Sequence, residues 1–342
     1  MELYYHRNLR NRILMKTDNR NSYMKICVSY FLLCGIINIC QAQENITTNE
    51  LKGHITYLTA DKNSGRYPGG KINKKIVRYI TKDFKKSGIA PFMKSYKQPF
   101  LAQLRVKKGE LPKNAVETWN VIGLIEGNDP LLKNEYIVLG AHYDHLGMGG
   151  GPSSKSDKIG IHHGADDNAS GTSALLEIGE MLMAHKTELK RSVLLVAFGA
   201  EEQGLLGSKY FVDNPVVPLS QIKLMINMDM VGRLNDAKQV YMGGAGTFPG
   251  GVEFMKDLGP PLGLSPVVHA GSVGGSDHVS FYKKNISVLG IHTGGHPQYH
   301  TPEDTVELIN FEGQKQVCQY IFNVIMKVGS TPYDMKFIPQ GD

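Results

Sequence analysis

The sequence predicts an α/β fold, a three-layer sandwich with a mostly parallel central sheet flanked by helices. Three observations lead to it. From about residue 120 onwards, short strand-like runs alternate with helix-like stretches. The strand-like runs are apolar on both faces, as strands covered by helices on both sides must be. No linker between Thr47 and the C-terminus is long enough to divide two domains, so 43–342 is read as one large domain.

The strand-like runs are 120–125, 136–141, 192–198, 223–227, 239–242 and 286–291, all short and apolar or β-branched. Apolar residues recur at helical spacing over 168–185, 250–258, 277–284 and 311–328. Upstream, 49–86 reads as two helices around a polar Gly/Pro turn at 63–70. In the second of these helices Ile72, Ile76, Tyr79, Ile80 and Phe84 form one stripe.

At 41% hydrophobic and 20% charged, the chain is an ordinary globular one with material for a large core. Of the formal charge of +6, four units fall in residues 1–25, leaving only two for the rest. No basic patch is interleaved with aromatics, which argues against nucleic acid as a partner. Residues 1–42 read as an N-terminal extension and export signal. Lys25 precedes an apolar run at 26–40, too short for a stable membrane span but suited to a signal-peptide core. Met24 is a candidate initiator, and cleavage is placed after Ala42. The expected location is periplasmic or secreted. A lipid anchor at Cys34 or Cys40 is disfavoured by the large Leu33 and Ile39 before them. Cleavage removes Cys27, Cys34 and Cys40, leaving Cys318 with no internal disulfide partner.

Five separated segments carry the chemistry: AHYDH at 141–145, GADDNASG at 164–171, FGAEEQG at 198–204, INMDMVG at 226–232 and YHTPED at 299–304. Four of them follow a strand-like run, and GADDNASG opens a helix. Ligands of open α/β sheets gather beyond the carboxyl ends of the strands, so segments far apart in sequence can meet there. In AHYDH, His142 and Asp144 share one face if extended, which suits a metal-ligating His142 oriented by Asp144. Asp167 is placed as a carboxylate bridging two metals, with Asp166 bonding nearby backbone. Glu201 and Glu202 end an apolar strand, where paired carboxylates are costly unless a cation is near. Glu202 is read as a ligand and Glu201 as the general base. Asp229, alone among methionines, needs a cationic partner. His300 is preferred to His296 as the last ligand because Tyr299, Glu303 and Asp304 surround it.

The charges agree with this set. Asp167, Glu202, Asp229 and a bridging hydroxide balance two divalent cations, with His142 and His300 neutral. Mixed His/carboxylate ligation suits two zinc ions, with manganese or cobalt as alternatives.

In these residues the chain closely resembles the M28 family of zinc aminopeptidases, from about 51 to 328. The early stretch YLTADKNSGRYPGG is similar to the family's opening helix and turn. The resemblance implies that His142 and Glu202 serve one metal, Asp229 and His300 the other, with Asp167 between. It implies Glu201 as general base, Asp144 as partner to His142, Tyr299 as a group that helps polarise the substrate carbonyl, and a cis Asp167–Asn168 peptide. The implied activity is removal of N-terminal residues from peptides through a metal-bridging water. The stretch from Trp119 to His142 leaves no space for the protease-associated domain of many secreted relatives. Alternatives on the same scaffold are a single-zinc glutaminyl cyclase and a carboxypeptidase or dipeptidase, for which Arg233 would be the carboxylate anchor. The least favoured is a non-catalytic binding module. The Gly/Ser/Lys-rich loop 145–163 is expected to rim the cleft, with His162 and His163 as candidate substrate contacts.

Overall fold

In the computed structural model, residues 45–340 are described; the extension and signal reading of 1–42 falls outside the described residues. Two helices come first, α1 (Thr48–Thr59) and α2 (Gly70–Lys86). Thr47 caps α1 by accepting the Glu50 N–H at 3.3 Å, the usual service of a hydroxyl at this position. The stripe foreseen on α2 is its packed face: Ile76, Ile80 and Phe84 are buried, with Ile72 and Tyr79 partly covered.

The strands are β1 (Ala90–Pro91), β2 (Lys97–Ala102), β3 (Val116–Ile125), β4 (Tyr136–His142), β5 (Ser192–Phe198), β6 (Ile222–Met228), β7 (Gln239–Gly243), β8 (Ser265–Val268) and β9 (Ser287–His292). They form one nine-stranded sheet in the order β1-β3-β5-β4-β6-β9-β7-β8, with β2 also on β3. Its centre, β5, β4, β6 and β9, is parallel, as the two-sided apolar runs require. Antiparallel pairing enters at the flanks, where β3 joins β5 and β7 joins β9.

The remaining helices are α3 (Gly171–Ala184), α4 (Leu206–Asp213), α5 (Gly251–Leu258), α6 (His278–Tyr282) and α7 (Phe311–Ser330). Successive residues of β4 face opposite layers. Ile137, Leu139 and Ala141 join the core shared with α1, α2, α3 and α7. Val138 joins Phe198, Phe211 and Phe281 in the core under α4 and α6. This is the expected three-layer arrangement. Burying a Phe or Leu side chain contributes about 1.5–3 kcal/mol, so the two cores hold the sheet from both faces. Cys318 is buried and unbonded in α7. No helix among the described residues is long and apolar enough to cross a membrane.

One turn links the helical opening to the rest. Ser64, Gly65 and Arg66 have φ of 42°, 68° and 49°, the left-handed region that favours glycine. At Gly65 a Cβ would lie 2.3 Å from the Gly147 carbonyl oxygen, so the close approach also excludes a side chain. The turn drives Arg66 inward until it is fully buried. Its guanidinium donates to the carbonyls of Tyr143 at 2.9 Å, Leu58 at 3.3 Å, His163 at 2.6 Å and Gly164 at 2.8 Å. One side chain thus ties α1 to the loops that follow His142 and precede Asp167.

Candidate metal centre

The sheet register sets the site. His142 is the last residue of β4, level with Phe198 at the end of β5. β6 lies on the other side of β4, and Asp229 follows its last residue, its N–H donating to the Ile291 carbonyl of β9 at 3.1 Å. Four of the five segments therefore meet beyond the carboxyl ends of adjacent parallel strands. The fifth, GADDNASG, forms a short turn over Ala165–Ser170 that leads into α3.

Hydrogen bonds hold that turn against the strand ends. Asp304 accepts the N–H groups of Asp166 and Asp167 at about 3.0 Å. Asn168 donates to the Met228 carbonyl at 2.8 Å, and Asp166 accepts the Gly232 N–H at 2.7 Å. The Asp167–Asn168 peptide is cis, as the resemblance implied.

Asp167 is the centre of the cluster. Its Oδ1 lies 3.3 Å from His142 Nε2 and its Oδ2 3.0 Å from His300 Nε2. Each histidine has a second carboxylate: Asp229 Oδ1 is 3.4 Å from His142 Nε2, and Glu202 Oε2 is 3.2 Å from His300 Nε2. The five expected ligands converge, but the pairing differs from the expectation. His142 stands with Asp229 and His300 with Glu202, not His142 with Glu202 and Asp229 with His300. The cause is chain geometry. Asp229 continues straight from β6 beside His142, whereas Glu202 lies four residues past β5, beyond a left-handed Ala200 with φ 59°.

The donor set fits cations. His142 Nε2 is buried and lacks a hydrogen-bond partner among the described residues. His142, Asp167 and Asp229 offer ligand atoms within 4.8 Å of one another, and so do His145, Asp167 and Glu202. The electrostatics express the same demand for positive charge. Burial opposes protonation of His142, yet Asp229, Glu201 and Asp167 hold it well above the usual range. Burial likewise opposes protonation of His300, but hydrogen bonds to Asp167 and Glu202 push it up to about 10. A metal ion would supply that charge and leave both imidazoles neutral.

The surrounding groups have separate tasks. His142 Nδ1 is 3.2 Å from the backbone carbonyl of Asp144 and 3.9 Å from its Oδ1. The carbonyl is thus the closer acceptor, and it still leaves Nε2 facing the carboxylates. The Asp144 carboxylate instead accepts the Glu201 N–H at 3.0 Å. Glu201 Oε2 lies 4.0 Å from His142 Nε2. Burial raises the Glu201 carboxyl well above its ordinary range against the pull of His142, with Glu202, Asp277 and Asp229 adding to the rise. The Tyr299 ring stacks on His300 at 3.7 Å, and burial with the surrounding carboxylates keeps its hydroxyl protonated.

His296 lies 3.3 Å from Asp166 Oδ2, apart from the ligand set, in keeping with the preference for His300. His162 and His163 depart from expectation. His162 is buried with Nε2 3.0 Å from Ser154 Oγ, and His163 Nδ1 is 2.9 Å from the Thr59 carbonyl. Both rings help to secure the loop, His162 from a buried position and His163 from a partly exposed one. Arg233 donates to Gln298 Oε1 at 2.9 Å. The sequence reading left His145 unassigned although it stands in AHYDH; it is buried with Nδ1 2.8 Å from Glu202 Oε1.

A buried His/carboxylate cluster beyond the parallel strand ends of an α/β sheet is a candidate metal site. The chain belongs to peptidase family M28, whose model matches residues 120–325. It is 32% identical over 190 residues to leucine aminopeptidase 2 of Trichophyton equinum, a match covering 52% of this chain and 34% of that protein. The chain thus corresponds to about a third of the length of such relatives. Among solved structures, a zinc aminopeptidase from Bacillus subtilis superimposes with a TM-score of 0.67 at 18% identity, covering 84% of this chain and 96% of that one. A Porphyromonas gingivalis glutaminyl cyclase superimposes with a TM-score of 0.66 at 20% identity, covering 84% and 100%. At such identities these likenesses concern the fold alone.

Proposed function

We propose that the protein is an exported di-zinc aminopeptidase that releases N-terminal residues from peptides. The observation that carries this reading is the placement of Asp167, with one oxygen toward each of two histidines and a further carboxylate beside each. One ion would be held by His142, Asp167 and Asp229, the other by Asp167, Glu202 and His300. Bound there, two zinc ions supply polarisation of the scissile carbonyl and a low-pKa shared water.

The chain's own residues do the rest. Glu201 is not needed as a ligand, and its raised carboxyl takes a proton readily. It accepts the proton of the attacking water and returns it to the leaving amine. The Tyr299 ring stacks on His300, and its hydroxyl is the group assigned to donate to the carbonyl oxygen as charge develops. Asp144 fixes the Glu201 backbone and so aims its side chain. The apolar run at 26–40 behind Lys25 supports export.

One peptide in three forms tests the direction of cleavage: free at both ends, N-acetylated, and C-amidated. Acetylation is expected to abolish release and amidation to leave it largely unchanged. The reverse pattern would make the protein a carboxypeptidase with Arg233 as the anchor to examine.

A further inference from the structure

We infer that His145 is a positioning residue that holds the Glu202 carboxylate in a one-oxygen binding mode, and that the loop from His145 to Ser153 clasps the Glu202/His300 half of the metal centre. The inference rests on the two-ion reading above. His145 Nδ1 is 2.8 Å from Glu202 Oε1, while Glu202 Oε2 faces His300 Nε2 at 3.2 Å. An ionised carboxylate can only accept, so Nδ1 carries the hydrogen and donates it. With Oε1 occupied, Oε2 is left for an ion.

The ring is built into place. It is fully buried, and a Cβ on Gly164 would lie 2.5 Å from its Cδ2, so the imidazole packs on bare backbone. His145 Nδ1 is farther from Asp167, 3.9 Å from Oδ2, which leaves Glu202 as its partner. The other end of the loop completes the clasp. His300 Nδ1 donates to the Ser153 carbonyl at 2.7 Å, turning Nε2 toward the carboxylates. The Ser153 hydroxyl donates to the Glu202 carbonyl at 3.2 Å. One loop therefore orients two ligands of the same half-site, and none of these contacts reaches His142 or Asp229.

Zinc binding to the wild-type protein, His145→Leu and His145→Asn, measured by competition with a chromophoric chelator, tests this, with melting temperatures as the check on folding. Asn places an N–H near the position of Nδ1, and Leu places none. His145→Leu should weaken one of the two ions by about 10–100-fold, the usual effect of losing such a partner, and leave the other unchanged. His145→Asn should stay within about threefold of wild type, an order-of-magnitude expectation from the same rule. Wild-type affinity for both ions in a folded His145→Leu would overturn the inference. Equal weakening in His145→Asn would also overturn it, because the ring nitrogen would then be a ligand itself. If His145→Leu does not fold, His145→Ala, which likewise offers no N–H, takes its place with the same expected loss of about 10–100-fold. If wild type binds only one ion, the two-ion reading falls, and the inference is judged by whether His145→Leu weakens that ion.

Discussion

Replacing Glu201 by Gln is expected to lower kcat by about 10²–10⁴-fold, the range typical of a lost general acid–base group, while zinc content stays near wild type. The substitution keeps size and removes only the capacity to take a proton. The ligand set explains the second half of the expectation. His142 and His300 each already face two carboxylates, from Asp167 with Asp229 and from Asp167 with Glu202. Glu201 stands at 4.0 Å from His142 Nε2, outside those pairs. Its backbone N–H to Asp144 is untouched by a side-chain change. Measuring kcat and bound zinc on one preparation checks both halves. Substantial residual kcat would reject the role of Glu201, and loss of zinc would make it a ligand.

Replacing Arg66 by Met is expected to destabilise the fold severely. Four backbone carbonyls lose a donor at a fully buried position: those of Tyr143 and His163 lose the one that meets them, while Leu58 keeps Asn63 Nδ2 at 3.4 Å and Gly164 keeps the Ala169 N–H at 3.2 Å. An unsatisfied buried group costs about 1–3 kcal/mol, so the loss is of the order of several kcal/mol. That is a large part of the roughly 5–15 kcal/mol by which domains are stable. Charge adds to the effect. Burial lowers the Arg66 pKa to about 10, against the opposing pull of Asp167, Asp144, Asp304 and Glu202, so the cation persists at neutral pH. Its removal leaves those carboxylates with less compensation and should weaken zinc binding as well. Arg66→Lys keeps the charge but not the planar fork, and an intermediate loss is expected. Denaturant midpoints compare the three proteins; a loss below about 1 kcal/mol in Arg66→Met, less than one unsatisfied group should cost, would contradict the assigned role.

The central strands were legible because their apolar runs match the burial of β4, β5, β6 and β9 on both faces. Strand β2 was not legible. Its buried face includes Gln98, which is satisfied by bonds with Asn120 and Asn214, and Pro99 interrupts the run. A buried polar side chain satisfied by such partners has no periodic signature in sequence. β1 and β8 are two and four residues long, too short to show a pattern. α4 was missed because it begins at a left-handed Leu205 with no side-chain cap.

The site divides along similar lines. Ligand types could be read because carboxylates and histidines at apolar strand ends are costly without a cation. Which carboxylate stands beside which histidine depends on the order of β5, β4 and β6 and on the turn at Ala200, neither of which is local. His145 escaped because His142 and Asp144 already accounted for the chemistry of AHYDH. Arg66 escaped because its four acceptors are backbone carbonyls scattered along the chain.

The most direct measurement of the central claim is zinc stoichiometry, taken on the preparation whose peptide products are identified. Two zinc ions per chain and release of free N-terminal amino acids are expected, with activity lost on chelation and restored by zinc. Saturation at one ion per chain, with ammonia released from N-terminal glutamine and no amino acid set free, would contradict it.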